Sequence, residues 1–117
     1  MAIQKFEDII VWQKAQDFSI SIYNEFKNNK DYSFTDQIKR ASVSISNNIA
    51  EGFDRSSNPD FKRFLYFSLA SNSEVRSMLY LAERLNFIPK ETSKELINNS
   101  NEDCTNALWA NKVFKTI

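Results

Sequence analysis

The chain has 117 residues, 42% hydrophobic, 26% charged and 14% aromatic, which is enough apolar material for one packed domain and too much for a disordered chain. One Gly and two Pro are too few for a turn-rich sandwich or barrel, so the composition predicts an all-α fold. Fifteen basic residues balance fifteen acidic ones, and with no His and one Cys the chain lacks His-based triads, the usual zinc sites and an intramolecular disulfide framework.

The N-terminus mixes charges of both signs in its first eight residues and has no apolar core of a signal peptide. No apolar run approaches the roughly 18 residues of a membrane span. The chain is therefore read as cytoplasmic, with no membrane partner. A first helix is expected over residues 8–27, where Val11, Ala15, Phe18, Ile22 and Phe26 recur at three- and four-residue steps. A polar gap, Asn28 to Ser33, precedes a second helix over 34–52. Its apolar stripe is Ile38, Ala41, Ile45 and Ile49, and Gly52 is read as its stop.

Ser56-Ser57-Asn58-Pro59-Asp60 is a helix start, with Asn58 as the expected cap, Pro59 at the first helical position and Asp60 at the positive end of the dipole. The third helix, 59–86, carries Phe61, Leu65, Val75, Leu79, Ala82 and Leu85 and is broken at Phe87-Ile88-Pro89. Pro89 opens a fourth helix, 89–114, whose apolar pattern is interrupted by Asn98-Asn99-Ser100-Asn101 before it resumes at Ala107, Leu108 and Phe114. Cys104 lies in this polar stretch with no His to activate it. Short loops between successive helices predict an antiparallel, up-down-up-down four-helix bundle as a single domain, 1–117.

Two segments carry more apolar surface than a lone bundle buries. Ile9-Ile10-Val11-Trp12 is apolar all round the first turn of helix 1. Phe61, Phe64, Leu65, Tyr66, Phe67 and Leu69 nearly encircle the start of helix 3. Ile9, Trp12, Phe64, Tyr66 and Phe67 are therefore the candidate interface of a homo-oligomer; the alternative is that tilted helices and loops cover them. The aromatics from Phe61 to Phe67 also interleave with Lys62 and Arg63, as in some nucleic-acid binders. Phe61, Phe64 and Leu65 share one helical face, however, which favours a core.

Helix 2 carries a polar row. At about 100° per residue, Arg40, Ser44, Asn48, Glu51 and Arg55 fall within roughly 80°, beside the apolar stripe. Such a row is either a solvated face or a half-buried one whose groups need partners. Arg40 and Glu51 are about three turns apart and cannot pair within one helix. Glu74 on helix 3 is the expected partner of Arg40 or Arg55, in a folding or assembly role.

Gln37-Ile38-Lys39-Arg40-Ala41-Ser42-Val43-Ser44-Ile45, then Asn48-Ile49-Ala50-Glu51-Gly52-Phe53 and Arg55, resemble the signature of the bacterial four-helix-bundle family named for the 23S rRNA intervening-sequence protein. The resemblance continues through Phe61, Arg63, Phe64, Leu65, Ser71 and Glu74 to Leu81-Ala82-Glu83-Arg84-Leu85, and Phe6 and Trp12 to Ala15 are similar to its N-terminal motif. It implies an antiparallel bundle that assembles into a homopentamer, often a barrel with a central channel. It attaches no catalytic activity and no cofactor. One branch of that family is the basic accessory protein of diversity-generating retroelements, which associates with reverse transcriptase and nucleic acid.

This chain departs from the pattern at Asp54 and Ala70, where the family often has Gly, and at Asn72, where it is usually apolar. Its neutral charge is also unlike the basic branch, and argues against nucleic acid as a partner. The leading expectation is a non-enzymatic, self-assembling binding or scaffold module. The second is an RNA- or DNA-associated accessory protein contacting nucleic acid through Lys39, Lys62 and Arg63. Third comes an enzyme working through Glu51 and Glu74 alone, since di-metal carboxylate bundles need Glu-x-x-His pairs.

Overall fold

The computed structural model describes residues 3–55 and 57–103. Within them a one-turn 3-10 helix, Phe6–Asp8, leads into four α-helices: α1 (Ile10–Phe26), α2 (Tyr32–Phe53), α3 (Asn58–Arg84) and α4 (Lys90–Asp103). Each helix packs on the next in sequence and α1 closes against α4, which is the expected all-α, up-down-up-down bundle. The contact between α2 and α3 is the most extensive. The predicted continuation of α4 to residue 114, with Ala107, Leu108 and Phe114, and the lone Cys104 lie outside the described residues.

The helix ends show which local chemistry wins. At α1 the 3-10 turn takes up Asp8, and Ile9 stands before the helix in an extended conformation with its side chain in the core. Gln13 Nε2 donates to the Glu7 carbonyl at 2.9 Å and ties the two segments together. Helix α2 begins two residues earlier than predicted, because the Asp31 carboxylate accepts from the Phe34 amide at 3.1 Å. Ser57, not Asn58, caps α3: its hydroxyl accepts from the Asp60 amide at 3.3 Å, which moves Asn58 into the first helical position ahead of Pro59.

Helix α3 ends at Arg84, before the Phe87-Ile88-Pro89 segment expected to stop it. Asn86 adopts φ 60°, the left-handed region that Asn tolerates better than most residues. The amides of Phe87 and Asn86 then donate to the carbonyls of Ala82 and Glu83 at 2.9 and 3.0 Å, a Schellman closure. Phe87 folds back edge-on to Phe34, ring centroids 5.2 Å apart. Leu85, expected in the apolar stripe, is left 46% exposed by this turn.

Gly52 also has a different reason from the expected one. It lies inside α2 without a positive φ. A Cβ there would stand 2.6 Å from Phe64 Cβ and 2.9 Å from Phe61 Cδ1. The position is therefore one of close helix approach and not a left-handed stop.

The core runs through Ile22, Ile38, Ile45, Ile49, Leu65 and Leu79, all fully buried. Small polar residues are interleaved with it and are bonded inside the protein. Ser68 Oγ donates to the Ile45 carbonyl at 2.7 Å, joining α3 to α2. Ser100 Oγ donates to Asn72 Oδ1 at 2.8 Å, and Asn72 Nδ2 donates to the Ser100 carbonyl at 3.4 Å. Next to them Arg76 reaches Asn101 Oδ1 at 2.7 Å. The polar interruption in the fourth helix is thus the point where α4 locks onto Asn72 and Arg76 of α3.

Candidate functional site

The surface on either side of α2 holds most of the residues singled out from the sequence. On the α3 side, Arg40, Glu51 and Arg55 are exposed, whereas Ser44 and Asn48 are half-buried. Asn48 Nδ2 donates to the Ser44 carbonyl at 2.8 Å, within the helix. Gln37 shares this side of α2, and its amide donates to Glu74 Oε2 at 3.2 Å. Glu74 therefore meets Gln37, one turn before the row, and neither Arg40 nor Arg55. Arg55 instead lies over the Phe64 ring, 4.6 Å from its centroid. Among the described residues the Arg40 and Glu51 side chains make no hydrogen bond or ion pair, so these two charges of the row are solvated.

Beside the row, α3 presents a ridge. Phe67, Glu74 and Leu81 recur at seven-residue intervals and so share one side of the helix. The bond from Gln37 to Glu74 places that side next to α2. Phe67 and Leu81 are 45% and 47% exposed. Phe67 meets Phe64 edge-on at 5.4 Å, and the Arg63 guanidinium lies 5.8 Å from its centroid. Arg63 also pairs with Asp60 at 3.2 Å, the one ion pair among the described residues. At this exposure each such pair contributes about 0–1 kcal/mol, so the cluster is held by packing more than by charge.

On the other side of α2, toward α1, lies an open groove of about 320 Å³. Serines let the helices approach closely at its base: Ser19 Oγ donates to the Ser42 carbonyl at 2.9 Å and Gln16 Nε2 to Ser46 Oγ at 3.2 Å. Ile20, Tyr23 and Val43 give it an apolar lining. Lys39 stands at its margin, Nζ 5.2 Å from the Tyr23 ring centroid.

The residues expected at an oligomer interface divide into two sets. Ile9 and Phe64 are 2% and 8% exposed and are taken up by the protomer itself, and Trp12 is half-buried against Phe6. Only Tyr66 and Phe67 remain substantially exposed. Ile20, Tyr23 and Leu81 are among the exposed apolar residues outside that expected interface. A signal for them existed: Ile20 and Tyr23 keep helical spacing but sit off the Phe18-Ile22 stripe, and Leu81 is two heptads from Phe67.

Lys39, Lys62 and Arg63 do not converge. Lys39 borders the groove at Tyr23, whereas Phe61 and Phe64, which flank the other two in sequence, pack at Gly52, about 20 Å further along α2. Among the described residues no three His, Cys, Asp or Glu side chains are grouped to hold a metal ion. None of the described helices is long and apolar enough to cross a membrane.

Comparison with known proteins agrees with this architecture. The sequence model of a family described as 23S rRNA-intervening sequence protein matches residues 7–106. Among solved structures, the chain is similar to a protein of unknown function from the S23 ribosomal protein family of Bacteroides thetaiotaomicron. That similarity has 28% identity and a TM-score of 0.79, covering 89% of this chain and 98% of the other. No curated protein matches.

Proposed function

The chain belongs to the 23S rRNA-intervening sequence protein family, and on that premise we propose that it is a non-enzymatic bundle that self-assembles and serves as a binding or scaffold module. The observation that carries this reading is the apolar surface around α2, where Phe67, Leu81, Ile20 and Tyr23 are each 45% exposed or more. Exposed apolar side chains on both flanks of one helix favour burial by another copy. The family resemblance supplies the expected number, a homopentamer.

Size-exclusion chromatography with light scattering, on protein purified without nuclease and with its ultraviolet spectrum recorded, tests the reading. A five-subunit mass with a protein-like spectrum supports it. A monomer at micromolar concentration refutes it.

A second reading, an RNA- or DNA-associated accessory role, has one supporting observation: Tyr66 and Phe67 expose their rings beside Lys62 and Arg63. Exposed aromatics next to cations form stacking platforms for single strands. The neutral charge opposes it, although a ring concentrates several copies of one small patch. Nucleic-acid absorbance in the assembled peak, and affinity that falls as salt is added, would favour this reading over the scaffold.

A further inference from the structure

Helix α4 is held in the bundle differently from the other three. Among its described residues the side turned to the core is Ser93, Leu96, Ile97 and Ser100, which share one helical face. Only Leu96 and Ile97 are apolar, at 6% and 8% exposed, whereas Ile38, Ile45, Ile49, Leu65, Val75 and Leu79 of α2 and α3 are fully buried. The two serines do the rest of the joining. Ser93 Oγ donates to the Leu79 carbonyl at 3.4 Å. Ser100 Oγ donates to Asn72 Oδ1 at 2.8 Å, and Asn72 Nδ2 donates back to the Ser100 carbonyl at 3.4 Å. The serines are one heptad apart on α4 and their partners one heptad apart on α3, so the two pairs mark the ends of a single antiparallel contact.

Burial of apolar area is the main term that keeps a helix docked. A hydrogen bond between protein groups replaces bonds to water and adds little net stability, although its direction fixes which groups must meet. The α4 contact is therefore well defined in register and weak against separation. Once detached, Asn98-Asn99-Ser100-Asn101 would not sustain a helix, because Asn and Ser have low helix propensity. The chain behind α4 is anchored separately: Phe87 packs edge-on to Phe34 and Ile88 is buried, so Pro89 can serve as a hinge while α1, α2 and α3 stay closed.

We infer that α4 is a flap with a polar latch: it leaves the bundle as one unit, hinged at Pro89, with α1 to α3 still folded, and in leaving uncovers the face of α3 from Asn72 to Leu79.

Hydrogen exchange of the full chain, read by mass spectrometry at one protein concentration, tests it. Amides across α4 should exchange together and at least about a hundredfold faster than those around Ile45 and Leu65. Ser100→Ala, which removes the donor to Asn72, should speed exchange in α4 about tenfold. Ile45→Val trims a side chain that stays packed in the open state. It should speed exchange in α2 and α3 about fivefold and leave α4 unchanged.

Amides in α4 as slow as those of the α2–α3 core, or accelerated equally by Ile45→Val, mean that the four helices open only together and overturn the inference. Protection that rises smoothly from the far end of α4 toward Lys90 means end fraying in place of a hinged unit and also overturns it. If exchange in α4 ignores Ser100→Ala, the buried pair is no latch and the inference fails.

Discussion

Substituting Gly52 tests whether α2 and α3 are held by a close approach or merely punctuated by a flexible residue. In Gly52→Ala the new Cβ would lie 2.6 Å from Phe64 Cβ and 2.9 Å from Phe61 Cδ1. Carbon atoms rest at about 3.5–4.0 Å, so the two helices must part by about 1 Å at this point. The Phe61 ring can turn, but Phe64 Cβ is attached to the α3 backbone and can move only with it. Overpacking of this kind costs about 1–3 kcal/mol. Against it stands the higher helix propensity of Ala, at most about 1 kcal/mol and less in the last turn of α2.

The expected net change is therefore a loss of about 1–2 kcal/mol, with a Tm lowered by roughly 5–10 °C. Gly52→Val, with a branched side chain in the same space, should lose more. Both are measured by thermal and urea unfolding, at one protein concentration with the oligomer mass recorded. If Gly52→Ala is as stable as the parent or more so, helix propensity dominates and the close approach is not what the glycine serves.

Three further predictions concern caps, the buried pair and the charged row. Ser57→Ala should destabilise by about 1 kcal/mol and Asn58→Ala by much less, since the serine hydroxyl bonds the Asp60 amide; the reverse order in urea titrations would return the cap to Asn58. Ser100→Ala removes the donor to Asn72 Oδ1 and should cost about 1–3 kcal/mol. A double-mutant cycle with Asn72→Ala should show a coupling above about 0.5 kcal/mol, and additivity would mean that the pair does not act together. Arg40→Ala and Glu51→Ala, exposed and without side-chain partners among the described residues, should each change protomer stability by no more than about 0.5 kcal/mol. Unfolding at several protein concentrations separates the cases: a concentration-dependent loss places the row in an interface, and a larger concentration-independent one refutes its solvated placement.

Local chemistry determined a good deal of this protein by itself. Scarce Gly and Pro, the stripes of Ala15-Phe18-Ile22-Phe26 and Ile38-Ala41-Ile45-Ile49, and the Pro59-Asp60 start are read at short range, because helix periodicity and capping involve residues within a few positions of one another. The Gln37 to Arg55 pattern likewise carried the family, which the match over residues 7–106 bears out. Tertiary structure decided the rest. It set Gly52 against Phe64, turned Ser100 and Asn72 from a break in the pattern into a bonded pair, and buried Ile9 and Phe64 while leaving Phe67 and Leu81 outside. Each of these depends on which helix lies opposite and at what distance, and on a helix flanked by two neighbours one apolar stripe can face the core or the solvent without any change in its own spacing.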